Sequence, residues 1–186
     1  MPPRPRPRQG IMNVRKRVNQ QCINVLFLSS GNSTRSIMAE AILKRIGGER
    51  FCAHSAGSHP TGRVNPLALE QLRQRGYTTE GLASKSWSRF SKADAPPLDV
   101  LIGVCSKVVA ERHPVWPGSP LQLVWDLRSP NMVQGSDAEV RAVFASVCSQ
   151  LEAAVNALVA VRFDALDAGA TLEQLRQIEP RALHAH

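Results

Sequence analysis

Hydrophobic and polar positions fall into blocks along this chain, and each block has its own period. Ile23-Asn24-Val25-Leu26-Phe27-Leu28 is a short apolar run, which predicts a strand covered on both faces. Ile37 to Ile46 has the pattern of a helix, and Gly47-Gly48 stops it. Phe51 to Ser55 alternates loosely and predicts a second strand. Asn65-Pro66 opens another helix, with Asn as cap and Pro at the first helical position, and Gly76 ends it. Leu98 to Cys105 is nearly continuously apolar, and Leu121 to Trp125 forms a last short strand. Ser136-Asp137-Ala138-Glu139 resembles a capped start for a long helix, Val140 to Val161. Its Val143, Val147, Leu151, Val155 and Leu158 recur at helical spacing and should face the core. A short helix is expected within Leu166 to Ile178.

Strands alternating with helices predict an α/β fold of three layers: a central four-stranded parallel sheet with helices on both faces. Three segments follow: a tail at 1–21, a domain at 22–162, and an extension with a short helix at 163–186.

Composition changes this picture little. The 186 residues are 43% apolar and 20% charged, enough for one domain with a real core. There is no continuous apolar run of membrane-spanning length and no signal-like apolar region at the start. The expectation is a cytoplasmic protein. Cys22, Cys52, Cys105 and Cys148 lack metal-ligand spacing, so free or buried thiols are expected in a reducing compartment, and no metal. Cys22, Cys52 and Cys148 fall in or beside apolar patterns and belong to the core on this reading.

Charge changes it more. The net charge is +8, but residues 1–21 hold Arg4, Arg6, Arg8, Arg15, Lys16 and Arg17 and no acid, leaving +2 for the rest. The basic character therefore belongs to the tail. Such a tail could tether nucleic acid or an anionic membrane. Without interleaved aromatics, a solvated tail or sequence upstream of a start at Met12 is the better reading, and a nucleic-acid partner is disfavoured.

The candidate chemistry lies between the first strand and the first helix. Ser29-Ser30-Gly31-Asn32-Ser33-Thr34-Arg35-Ser36 is a loop of small residues ending in an arginine. Strand, small-residue loop and helix form a layout that cradles an oxyanion on backbone N–H groups. The helix dipole and the planar guanidinium of Arg35 add to it. The expected ligand is phosphate or an anion of that shape.

This frame resembles the low-molecular-weight protein tyrosine phosphatases, and more closely the thioredoxin-type arsenate reductases that share their flavodoxin-like fold. The resemblance rests on Ser29 to Ser36 with Met38-Ala39-Glu40, on Ser55-Ala56-Gly57, Asn65-Pro66-Leu67-Ala68 and Ser84-Lys85-Ser86, and on Val104-Cys105 and Pro114 to Gly118. It spans about Ile23 to Ile178 and implies a soluble enzyme acting on phosphate or arsenate, with no cofactor. It also implies that Asn32 braces the loop.

The departures fall on the chemistry. The resemblance places a nucleophilic cysteine where Ser29 stands and, in many reductases, another where Thr34 stands. Cys105 matches the first of two later redox cysteines, and His113 stands where the second is expected. Ser129-Pro130 replaces the Asp-Pro of the general acid. A serine hydroxyl needs an adjacent base, and among histidines only His54, His59 or His113 could supply one through the fold. Asp126 is a candidate for a displaced acid. Serine cannot form a disulfide, so Cys105 lacks a relay partner and reads as a buried, inert thiol.

The expectation is a pseudoenzyme that holds phosphate, arsenate or a phosphorylated protein on Ser30, Gly31, Asn32, Ser33, Thr34, Arg35 and Ser36, without turnover. A weakly active enzyme of the same family is the first alternative. A scaffold with a partner-binding basic tail is the second.

Overall fold

The structure is a computed structural model that describes residues 22–163 and 168–178. The expectations for the tail at 1–21, and for much of the extension, lie outside those residues. Four strands, β1 (Ile23–Ser29), β2 (Phe51–Gly57), β3 (Val100–Gly103) and β4 (Leu121–Val124), form one sheet in the order β2-β1-β3-β4. Every pairing is parallel. Five α-helices accompany them among the described residues: α1 (Arg35–Ile46), α2 (Pro66–Gln74), α3 (Ser106–Ala110), α4 (Asp137–Ala160) and α5 (Ala168–Arg176). The predicted fold class stands.

Alternation along β1 explains its unbroken apolar run. Val25 and Phe27 face a core built from Met38, Ile42 and Leu43 of α1, Leu72 of α2, and Val147, Leu151 and Val155 of α4. Leu26 and Leu28 face a second core with Leu101, Val108 and Trp116. Both faces of the central strands β1 and β3 are covered, as in an all-parallel sheet, while Gln122 and Val124 of the edge strand β4 are exposed on the second face. The faces are unequal: one carries the long α1 and α4, the other only α3 and a 3₁₀ turn at Trp87–Phe90. Trp125 is fully buried against Phe27, with ring centroids 5.8 Å apart.

Local chemistry sets the element ends. Asn65 Oδ1 accepts from the Leu67 amide at 2.8 Å and caps α2. Ser136 and Glu139 form a reciprocal capping box at the start of α4. On α4 Phe144 is buried, while Val143 is only half-buried, so the expected core face is rotated by one residue at that turn. By length and composition α4 could cross a membrane. Its apolar side is instead part of the main core.

An expectation about the cysteines also fails. Cys22 and Cys52 are not free thiols; they form a disulfide that joins the chain just before β1 to the second residue of β2. β1 and β2 are hydrogen-bonded neighbours in parallel register, Asn24 opposite Cys52. Parallel pairing brings two residues distant in sequence to the same end of the sheet, and the Cα atoms lie 5.6 Å apart. Sequence spacing alone could not show that proximity. Cys105 and Cys148 are free and buried.

Candidate functional site

In the order β2-β1-β3-β4 the chain runs one way from β1 to β2 and the other way from β1 to β3. Such a reversal opens a crevice beyond the carboxyl ends of the two central strands. Ser29–Ser36 leaves the end of β1, and Cys105 follows the end of β3. The sequence loop therefore occupies the place where this class of sheet binds ligands.

The loop is held by its carbonyls. Ser30 O accepts from the His59 amide at 2.9 Å, and Gly31 O accepts from the Thr61 amide at 3.0 Å. Ser33 O accepts from the Asn65 amide at 2.9 Å, and Thr34 O from the Met38 amide at 2.9 Å. Ser84 Oγ adds a bond to Gly31 O. Among the described residues the amides of Ser30, Gly31, Ser33, Thr34, Arg35 and Ser36 donate to no protein acceptor. A loop whose carbonyls turn to the flanking chain while its amides stay uncommitted has the hydrogen-bonding pattern of an anion nest.

Asn32 is the brace. It has φ 43°, in the left-handed region that asparagine tolerates better than most side chains. Completely buried, it uses its whole amide. Nδ2 donates to Ser36 Oγ and Ser55 Oγ, each at 2.9 Å. Oδ1 accepts from the Lys85 amide at 2.7 Å. Ser55 Oγ donates to Glu40, a buried carboxylate that also pairs with Lys85 and Lys44. Gly57 lies directly beneath the loop: a Cβ there would stand 2.5 Å from Ser30 O. No other residue fits without moving the backbone.

Ser29 is 4% exposed. Its Oγ accepts from the Asn32 amide at 3.2 Å and lies 2.7 Å from Ser36 Oγ. Among the described residues no carboxylate or imidazole reaches it. His54 pairs with Asn24 Oδ1, His59 lies 3.7 Å from Glu111, and His113 Nε2 donates to Val108 O at 2.8 Å. His113 is also packed edge-on against Trp87 and Trp116.

Arg35 does not stand free over the loop. Nη1 donates to Leu127 O at 2.7 Å and Val104 O at 3.3 Å, tying the guanidinium to the chain after β3 and β4. These bonds use one of its three nitrogens. Burial, the largest influence, lowers its pKa, while the nearby Cys105 thiol and Asp126 carboxylate raise it. Cys105 Sγ is 4.0 Å from Ser30 Oγ, so the loop, Arg35 and Cys105 share one place.

Ser129 caps the 3₁₀ turn Pro130–Met132 through its backbone, and its side chain makes no capping bond. Asp126 accepts from the Ser106 amide at 2.9 Å. Two participants escaped sequence reasoning. Asn131 Oδ1 accepts from Thr34 Oγ1 at 2.9 Å and from Asn65 Nδ2 at 3.1 Å, joining the Pro130 turn to the loop. Glu111 accepts from Ser30 Oγ at 3.4 Å. The only advance signal for either was its place beside the Ser129-Pro130 and His113 positions. Among the described residues no cluster of three or more metal-ligating side chains forms.

Residues 24–170 match the family model of the low molecular weight phosphotyrosine protein phosphatases. This chain belongs to that family. An arsenate reductase of Halalkalibacterium halodurans is 28% identical over 127 residues, covering 68% of this chain and 88% of the relative. A glutaredoxin arsenate reductase of Synechocystis sp. is 29% identical over 136 residues, covering 73% and 95%. Among solved structures, an arsenate reductase in the phosphate binding state is 27% identical with a TM-score of 0.61, covering 74% of this chain and 97% of that one. An arsenate reductase in the oxidized state is 30% identical with a TM-score of 0.60, covering 74% and 96%.

Proposed function

We propose that this family member binds phosphate, arsenate or a phosphorylated group on a partner protein in the Ser29–Ser36 loop and does not turn it over. The observation that carries the reading is the combination of six uncommitted loop amides with a Ser29 hydroxyl that has no base. Attack by a serine needs a group to take its proton, and Ser29 has only an amide and a second hydroxyl. At Ser129 no carboxyl is available to protonate a leaving group. His113, where a second relay thiol would stand, is committed to Val108 O and two tryptophans.

Calorimetry with phosphate and arsenate tests the binding half; no heat of binding with the wild type ends the reading. Assays of ester hydrolysis and thiol-dependent arsenate reduction test the other half. Turnover that disappears in Ser29→Ala would restore an enzyme.

A second reading has one observation behind it. Cys105 lies against Arg35 and Ser30, so a weakly active reductase would use that thiol. Arsenate reduction lost in Cys105→Ala and kept in Ser29→Ala would select it.

A further inference from the structure

A proton count at the head of the loop carries the reading above further. Asn32 supplies three N–H groups to this cluster: its backbone amide to Ser29 Oγ, and the two Nδ2 protons to Ser36 Oγ and Ser55 Oγ. Ser55 sends its own proton to Glu40. Ser29 and Ser36 remain, with two protons and one bond between them. Whichever donates, the other keeps a proton that meets no acceptor among the described residues. Ser36 is completely buried beneath the loop, and Ser29 is 96% buried at its head. If Ser29 donated, Ser36 would hold an orphan proton in the interior, at a cost of about 1–3 kcal/mol. If Ser36 donates, both lone pairs of Ser29 are filled and its proton is left for whatever the loop amides hold.

We infer that the Ser29 hydroxyl donates to the bound anion, so the cradle presents donors only and takes the unprotonated oxygens of a tetrahedral anion. Ser29 is then a specificity-determining residue rather than a disabled nucleophile. A thiolate in its place would add a negative charge and an acceptor; the hydroxyl adds neither. The nearby carboxylates already accept protein donors, Glu111 from Ser30 and Asp126 from the Ser106 amide. Cys105 is the neighbouring thiol, and Arg35 and His59 are the nearby basic groups. The inference rests on the loop binding an oxyanion at all.

The test is calorimetry of the full chain with inorganic phosphate and with sulfate, which carries no proton near neutral pH. Sulfate should bind within about tenfold of phosphate, since every loop group donates. Ser29→Ala should weaken both by roughly ten- to a hundredfold, the usual value of a donor to a charged group. Ser36→Ala removes the donor that turns the Ser29 proton toward the ligand and should weaken both anions in the same direction, by less than Ser29→Ala does. Circular dichroism confirms that each variant folds. Phosphate binding left unchanged by Ser29→Ala overturns this inference and spares the binding reading. So does phosphate binding with sulfate excluded, which would place an acceptor against the ligand. Failure of the wild type to bind either anion overturns both.

Discussion

The two ends of the β-sheet are built on opposite plans. At the amino end the chain is tied to itself: the Cys22–Cys52 disulfide joins the start of β1 to β2, and Asp99 Oδ2 accepts from the Asn24 amide at 2.9 Å. Pro117 O accepts from the Leu98 amide, and a Cβ on Gly118 would stand 2.6 Å from Leu98 O. At the carboxyl end the carbonyls of Ser30, Gly31, Ser33 and Thr34 and the Asn32 side chain are engaged, yet six loop amides are held open among the described residues. Uncommitted donors tend to collapse onto the nearest carbonyl. Here four of the loop's carbonyls already accept flanking amides, which leaves the loop's own amides fewer acceptors to fold back on.

Asn32→Ala should break this contrast most severely. It removes three side-chain bonds, strands the Lys85 amide and leaves alanine in a left-handed conformation. The expected loss is about 3–5 kcal/mol, read as a fall in melting temperature of roughly 6–20 °C, with phosphate binding lost. At the other end, reducing the disulfide that spans 30 residues should cost about 3–4 kcal/mol. Cys52→Ser should show no further change with reductant. If its melting temperature still falls on reduction, the disulfide is not the cause.

Arg35→Ala leaves the sheet intact and should weaken phosphate binding by about ten- to a hundredfold. Unchanged affinity would mean that the guanidinium serves only the carbonyls of Leu127 and Val104. The smallest effect belongs to His54, halfway along β2. Burial, the largest influence, lowers its pKa below the ordinary 6.5. The unfolded chain therefore takes up the proton first. Stability is full above that value and declines as pH falls toward the folded-state pKa. A thermal melt series should show a shallower decline below about pH 6.5 in His54→Gln; an identical slope would assign the effect to other groups.

Much of this was legible in the sequence. The apolar run of β1, the Asn65-Pro66 cap and the Ser136 box are local devices, and each places its element correctly. The loop was legible because small residues, Asn32 and Arg35 mark it. What stayed hidden depends on strand order. Parallel pairing puts Cys22 beside Cys52, and the crossover carries Asn131 to a loop residue 98 positions before it and Glu111 to one 81 positions before it. No periodicity encodes such meetings. α3 was missed because five residues carry too little pattern to register.

The Asp126 contact limits any attempt to re-equip this pocket as a hydrolase. Its carboxylate fastens the amide that begins the segment just after Cys105. Recruiting it to deliver a proton would loosen that segment each time the proton came and went. A designer would do better to leave it alone and install a carboxyl at position 129, where the present side chain fastens nothing in its turn.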